Sequence, residues 1–226
     1  ITYMRTDSIT LSTEALTATR NTIKQLFGND FLPDKPNKYK SNVKNAQEAH
    51  EAIRPAGSSF KHPDELKNVI SDSEFKLYNL IWKRTIASQM KSAKILNTTI
   101  NIIGNSAIFI SKGRVIEFPG FLKVYVEDTD DPNKRRDDKE SNLPKLINGQ
   151  KLDATKFNIM QHFTKPTPRY TEASLVKEME KLGIGRPSTY ASIMQNIQKR
   201  GYVNKIKGAM IPTFTAYAIV KFLENY

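Results

Sequence analysis

Cysteine is absent from the 226 residues. That excludes disulfides, Cys-ligated zinc and a thiol nucleophile. Histidine is scarce, with only His50, His62 and His162 far apart in the chain, so a His-built metal site is not expected. No run approaches the roughly 18 consecutive apolar residues of a membrane-spanning helix, which excludes a membrane span. Acidic charge is in short supply too: 23 Asp and Glu stand against 35 Lys and Arg, a net charge of +12. Such an excess points to a polyanion, nucleic acid or an anionic membrane surface, without choosing between them. Hydrophobic residues make up 38%, too many for a disordered chain. The chain opens at Ile1 in an apolar run, without Met or a signal-peptide pattern, and stops in a helical one. It reads as a piece of a longer protein.

The basic charge is uneven. Residues 161–226 carry 10 basic and 4 acidic side chains, the largest excess for their length. Near the start, Ser12 is a candidate N-cap for a helix with Leu16, Thr19, Ile23, Leu26 and Phe27 at helical spacing and Gly28 as its stop. Residues 29–46 read as a loop. Ser71-Asp72-Ser73-Glu74 fits a capping box, followed by the amphipathic stripe Phe75, Tyr78, Ile81, Trp82 and Ile86. From Ala93 the period changes: 95–103, 106–111, 114–118 and 121–127 read as an antiparallel meander punctuated by Gly104, Gly113 and Gly120, and 151–160 as one more strand. Beyond Thr164 the order is helix from Thr171 to Gly183, helix from about Ser188 to Arg200, then a hairpin of 202–206 and 209–213. That is the outline of a winged helix-turn-helix.

Three clusters could carry chemistry. In Ile-Thr-Tyr-Met-Arg-Thr-Asp-Ser at 1–8, Tyr3 and Arg5 share one side of an extended strand. A cation beside a phenol favours the phenolate and also grips a phosphate oxygen, which is what attack on a phosphodiester needs; by itself a strand tyrosine is also explained by packing. In Gln47-Glu48-Ala49-His50-Glu51-Ala52-Ile53-Arg54-Pro55, a short helix would put His50 and Arg54 on one face, to hold a phosphate or simply to face solvent. The third cluster runs from Arg169-Tyr170-Thr171 to Gly183-Ile184-Gly185-Arg186-Pro187-Ser188-Thr189-Tyr190. Its Gly-X-Gly turn would bring a helix start, with Arg186, Ser188 and Thr189, close to an anion; the alternative is an ordinary interhelical turn capped by Ser188 or Thr189. Asp128-Thr129-Asp130-Asp131 has the look of a magnesium motif but sits in a dense charge run, and reads as a solvated loop.

Together these stretches resemble the type IA DNA topoisomerases, most closely the bacterial topoisomerase I branch. The resemblance is carried by I-T-Y-M-R-T-D-S, Q-E-A-H-E-A-I-R-P, L-I-W-K-R at 80–84, Q-H-F-T-K-P at 161–166 and the long stretch 169–193, in the family's order from end to end. It implies Tyr3 as the nucleophile forming a 5′-phosphotyrosine link, Arg5 stabilising charge on the scissile phosphate, and His50 positioning it. Glu51 and Arg54 would give local support, with Arg54, Arg169, Arg186, Ser188 and Thr189 contacting DNA. An α+β, multidomain fold is implied: a helical tyrosine-bearing domain over 1–89, a β-rich arch segment over 90–162, and a winged-helix-like part of a single-strand-binding domain over 163–226. The parent would be an ATP-independent isomerase acting in the cytoplasm as a monomer on single-stranded and negatively supercoiled DNA, with no membrane partner.

One departure accompanies the resemblance. The family's Mg²⁺-binding carboxylates and its catalytic Glu and Lys lie before the tyrosine, in a Toprim domain, and nothing here precedes Ile1 and Thr2 except the start of the sequence. The expectation is therefore a chain with the nucleophile and no metal site, inactive by itself. Two other readings remain. A winged-helix DNA-binding module without catalysis explains 170–214 and the charge but not the first two clusters. A tyrosine recombinase also combines Tyr, Arg and His, with the Tyr late in the chain and a 3′ link.

Overall fold

The computed structural model describes residues 1–39, 50–126, 142–164 and 166–225. It is an α+β structure whose contacts form two compact units, residues 1–93 with 119–130 and 169–226, and residues 94–118 with 131–168.

In the first unit, helix α1 spans Thr13–Phe27. Ser12 caps it by accepting the Ala15 N–H, and Gly28 closes it by donating its N–H to the Lys24 carbonyl. Helix α2, Asp72–Ser88, begins at the expected capping box of Ser71 and Glu74. The two helices bury Ala15, Ala18, Ile23, Trp82 and Ile86 against Phe60 and Met90. Ile23 and Ile86 are both 0% exposed, and full burial of such a side chain stabilises by roughly 1.5–3 kcal/mol. At the end of α2, the buried Gln89 side chain pairs reciprocally with the Asn37 backbone, accepting its N–H at 3.0 Å and donating to its carbonyl at 3.1 Å. That pair ties the segment before residue 40 onto the helix.

The same unit holds helices α3, Glu172–Leu182, and α4, Tyr190–Lys199, then strands β3, Val203–Ile206, and β4, Ala209–Pro212, and helix α5, Phe214–Glu224. Strands β3 and β4 pair antiparallel, as the winged-helix outline requires. Thr171 caps α3 and Gly183 ends it in the left-handed conformation. The core of this part is three methionines, Met179, Met194 and Met210. Glu172 binds its pieces together: one carboxylate oxygen accepts from Gln198 at 3.2 Å, and the other forms an ion pair with Lys205.

The second unit is built on strands β1, Lys94–Gly104, and β2, Ala107–Phe118, an antiparallel pair. Here the expected meander is corrected. The runs 106–111 and 114–118 are one strand, because Gly113 does not break it: it sits buried in the ladder opposite Thr98. A glycine in an apolar run can mark either a turn or a close approach inside a strand, and the sequence does not separate the two. Gly120–Lys123 is a 3-10 turn of the first unit rather than part of a strand, and 151–160 has no regular structure. Residues 127–141, with the acidic run 128–131, and residues 40–49 lie outside the described residues.

At Gly120 two backbone segments approach closely. Its φ is +50°, and a Cβ there would meet the Lys91 carbonyl oxygen at 2.5 Å and the Ala93 nitrogen at 2.7 Å, both backbone atoms. Phe121 N donates to that same Lys91 carbonyl at 3.0 Å. Gly120→Ala therefore forces two backbone segments apart. It should destabilise the chain by about 2 kcal/mol or more, read from urea unfolding, and an unchanged midpoint would contradict this packing.

Candidate active site

The site is assembled from residues 1–8, 50–54 and 183–190, all in the first unit. The first stretch has no helix or strand, and its course is set by the second. Thr2 N donates to the Arg54 carbonyl, Thr2 Oγ1 donates to the Ala52 carbonyl, and Arg54 N donates to Thr2 Oγ1, each at 2.9 Å. Farther along, Ala52 N donates to the Thr10 carbonyl at 2.8 Å, and Ser12 N donates to Glu51 Oε2 at 3.2 Å. Because the backbone of 52–54 bonds across to 2 and 10, His50 and Arg54 do not share a helical face; that expectation is corrected.

Arg54 is only 6% exposed. Its Nε and Nη2 donate to the two Glu51 oxygens at 3.0 and 2.8 Å, and its Nη1 donates to the Pro55 and Gly57 carbonyls at 2.8 and 3.1 Å. A guanidinium filled in this way does not offer its fork to a phosphate. In this structure the Arg54 side chain is an internal brace. Burial works to raise the Glu51 pKa, but hydrogen bonds from Arg54 and Ser12 outweigh it and hold the carboxyl below its usual value. The Glu51 carboxyl is ionised at neutral pH.

On this frame Tyr3 and His50 face each other, with ring centroids 5.2 Å apart and planes tilted by 35°. Tyr3 is 55% exposed. Tyr3, Arg5 and His50 line one open depression of about 580 Å³, and Ser188, from the turn before α4, also lines it. A phenol, a guanidinium, an imidazole and a hydroxyl thus converge from three distant stretches of chain. Groups of these kinds can act as a nucleophile and as donors to the oxygens of a phosphodiester.

The turn that brings Ser188 there depends on Gly185. Its φ is +79°, and a Cβ would lie 3.1 Å from Ile193 Cδ1 and 3.2 Å from both Thr189 Oγ1 and Tyr190 Cε1. The exposed Thr189 bends back onto its own turn: its Oγ1 accepts the Arg186 N–H at 2.8 Å and donates to the Arg186 carbonyl at 3.1 Å. Those bonds engage the hydroxyl and the 186 amide in forming the turn itself. Arg186 is exposed, with Nη1 donating to the Gly185 carbonyl at 3.0 Å, and Arg169 is exposed before α3; neither lines the depression.

Two residues outside the expected set belong to this neighbourhood. Burial first, then the Glu180 and Asp7 carboxylates, raise the Tyr190 pKa while Arg186 lowers it. The phenol is neutral and lies within reach of charge from both the 1–8 stretch and the turn. Thr2 is the other. No short-range pattern marks it, since its partners are 50 and 52 residues away.

A family model described as DNA topoisomerase matches residues 1–226, the whole chain. DNA topoisomerase 1 of Mycolicibacterium smegmatis is 51% identical over all of this chain and 25% of its own length. The Streptomyces coelicolor DNA topoisomerase 1 is 52% identical over all of this chain and 24% of its own. The solved structure of full-length topoisomerase I from Thermotoga maritima superposes with a TM-score of 0.71 at 33% identity, over 99% of this chain and 34% of that one. The chain thus spans about a quarter of the length of the curated relatives it matches. Matched from its first residue to its last and similar in structure along nearly all of its length, the chain belongs to the DNA topoisomerases, in the bacterial topoisomerase I branch of type IA.

Proposed function

We propose that these residues carry the strand-cleaving tyrosine of an ATP-independent topoisomerase that cuts and reseals one DNA strand. The observation that carries this reading is the single depression lined by Tyr3, Arg5, His50 and Ser188. Tyr3 Oη attacks the phosphorus of a strand laid in the depression. An O–P bond to the phenol forms, the bond from phosphorus to the 3′ oxygen breaks, the phenol proton is released and the 3′ oxygen takes up a proton. The product is a 5′-phosphotyrosine and a free 3′-hydroxyl. Resealing is the reverse, and the ester conserves the bond energy, so no nucleotide is hydrolysed. Such a transfer depends on position and charge stabilisation: Arg5 neutralises charge on the non-bridging oxygens, His50 holds one of them beside the phenol, and Ser188 donates from the turn before α4.

In the same proposal residues 1–89 are the tyrosine-bearing part, 90–162 the arch and 163–226 the strand-binding part, with Arg186 and Arg169 outside the depression guiding the strand. The DNA is single-stranded in the site and negatively supercoiled as substrate, and the enzyme works as a cytoplasmic monomer. No helix among the described residues is long and apolar enough to cross a membrane. Mg²⁺ belongs to the family reading, yet no group of three or more His, Cys, Asp or Glu among the described residues could hold a metal ion. These residues do not fit it, and no step above is routed through it.

In the full-length enzyme containing this chain, Tyr3→Phe should bind single-stranded oligonucleotides normally and form no covalent adduct; an adduct that persists would sink the assignment. Arg5→Ala should slow cleavage by about 10²–10³-fold, the scale for one transition-state donor, and His50→Ala by less. Wild-type cleavage in both would leave the phenol without partners. A binding module without chemistry gives no adduct in any form of the protein, wild type included.

Arg186 and Thr189 separate strand binding from turn building. Arg186→Ala should keep its melting temperature and lose roughly 1–3 kcal/mol of single-strand affinity, with a shallower dependence on salt. Thr189→Val should do the opposite, lowering the melting temperature and leaving the salt slope in place. The reverse pattern in binding and melting measurements would overturn the division.

A further inference from the structure

We propose that Thr2 is a positioning residue for strand cleavage: its hydroxyl, bridging the Ala52 carbonyl and the Arg54 amide, holds Tyr3 and His50 in the register the reaction needs. This rests on the reading of Tyr3 as the nucleophile.

The stretch that carries Tyr3 is neither helix nor strand. At Thr2 one backbone bond, from its N–H to the Arg54 carbonyl, ties it down. A single bond leaves an extended segment free to pivot about it. The Thr2 hydroxyl removes that freedom. It donates to one neighbour and accepts from another, both at 2.9 Å, so three bonds fix one residue. A hydroxyl can do this because it is both donor and acceptor, and β-branching restricts the χ1 torsion that aims it.

What it grips is rigid. Arg54 is held by four side-chain hydrogen bonds to Glu51, Pro55 and Gly57. Tyr3 is the residue after Thr2, and His50 lies two residues before Ala52. At no more than about 3.6 Å of reach per residue, neither has much slack from the anchor. The anchor therefore sets the 5.2 Å separation of their rings. A side chain that never touches DNA would in this way govern the line of attack.

The test compares Thr2→Val, Thr2→Ala and Thr2→Ser in the full-length enzyme, by single-turnover cleavage of a labelled single-stranded oligonucleotide at saturation, with Tyr3→Phe in parallel. Val keeps the shape of Thr and loses both hydroxyl bonds; Ala loses them without adding a methyl; Ser keeps them. Thr2→Val and Thr2→Ala should cleave about 10- to 100-fold more slowly, as expected for reacting groups displaced by about 1 Å. Their oligonucleotide affinity should be unchanged, the split expected when only the chemical step suffers. Thr2→Ser should recover most of the rate. The Arg54 amide should exchange its hydrogen faster in the Val form than in the Ser form. Wild-type cleavage in Thr2→Val, or a Thr2→Ser as slow as Thr2→Val, overturns this proposal while leaving Tyr3 in place. An adduct that persists in Tyr3→Phe removes the nucleophile reading and this proposal with it.

Discussion

A guanidinium carries a positive charge that needs partners, and the one on Arg54 is buried. A buried guanidinium is tolerated only when its hydrogen-bonding capacity is met. Here Glu51 takes one edge and two backbone carbonyls take the other. The consequence is geometric. Residues 51–57 must wrap around one side chain, which fixes the backbone of 52–54. Against that backbone lie Thr2 and Thr10, and Glu51 reaches the cap of α1 through Ser12. One ion pair thereby sets the course of the segment that carries Tyr3 and Arg5, as well as the position from which His50 projects.

The turn that contributes Ser188 to the depression is organised by a different constraint. Between α3 and α4 the chain reverses in a few residues, and Gly185 packs where a Cβ would press on Ile193, Thr189 and Tyr190. Thr189 then closes the turn on Arg186, and Ser188 is left facing the depression. The support behind this turn is a core of three methionines. Such side chains are flexible and adapt to irregular space, whereas the core between α1 and α2 is built mainly on Trp82, Ile23 and Ile86 with one methionine, Met90.

What was legible in the sequence was local. Ser12, Ser71, Thr171 and Gly183 act within four residues of themselves, and each does what its residue type and spacing suggested. The helix-turn-helix and hairpin were readable for the same reason, and so were the motifs that pointed to the family. The errors share a cause as well. Whether Gly113 breaks a strand or lies inside one depends on what packs over it. Whether Arg54 faces DNA or the interior depends on Glu51, Pro55 and Gly57 closing round it, which a helical reading of 47–55 did not foresee. For Thr189 the sequence leaves a strand contact and a turn-building role side by side, and the hydroxyl does engage the turn. Thr2 was invisible because its partners are some fifty residues away. Tyr3, Arg5, His50 and Ser188 were named from motifs; that they share one depression is a fact of tertiary structure.

The most direct test of the account is Arg54→Gln in the full-length enzyme, followed by unfolding and by single-strand binding as salt is varied. As the brace behind the nucleophile, the variant should lose about 3–5 kcal/mol of stability, the scale for stranding one member of a buried pair. Under conditions where it remains folded, its salt slope should match the wild type. Unchanged stability, together with a slope shallower by about the 0.7 expected for one lost phosphate contact on a single strand, would contradict the account and return Arg54 to the DNA.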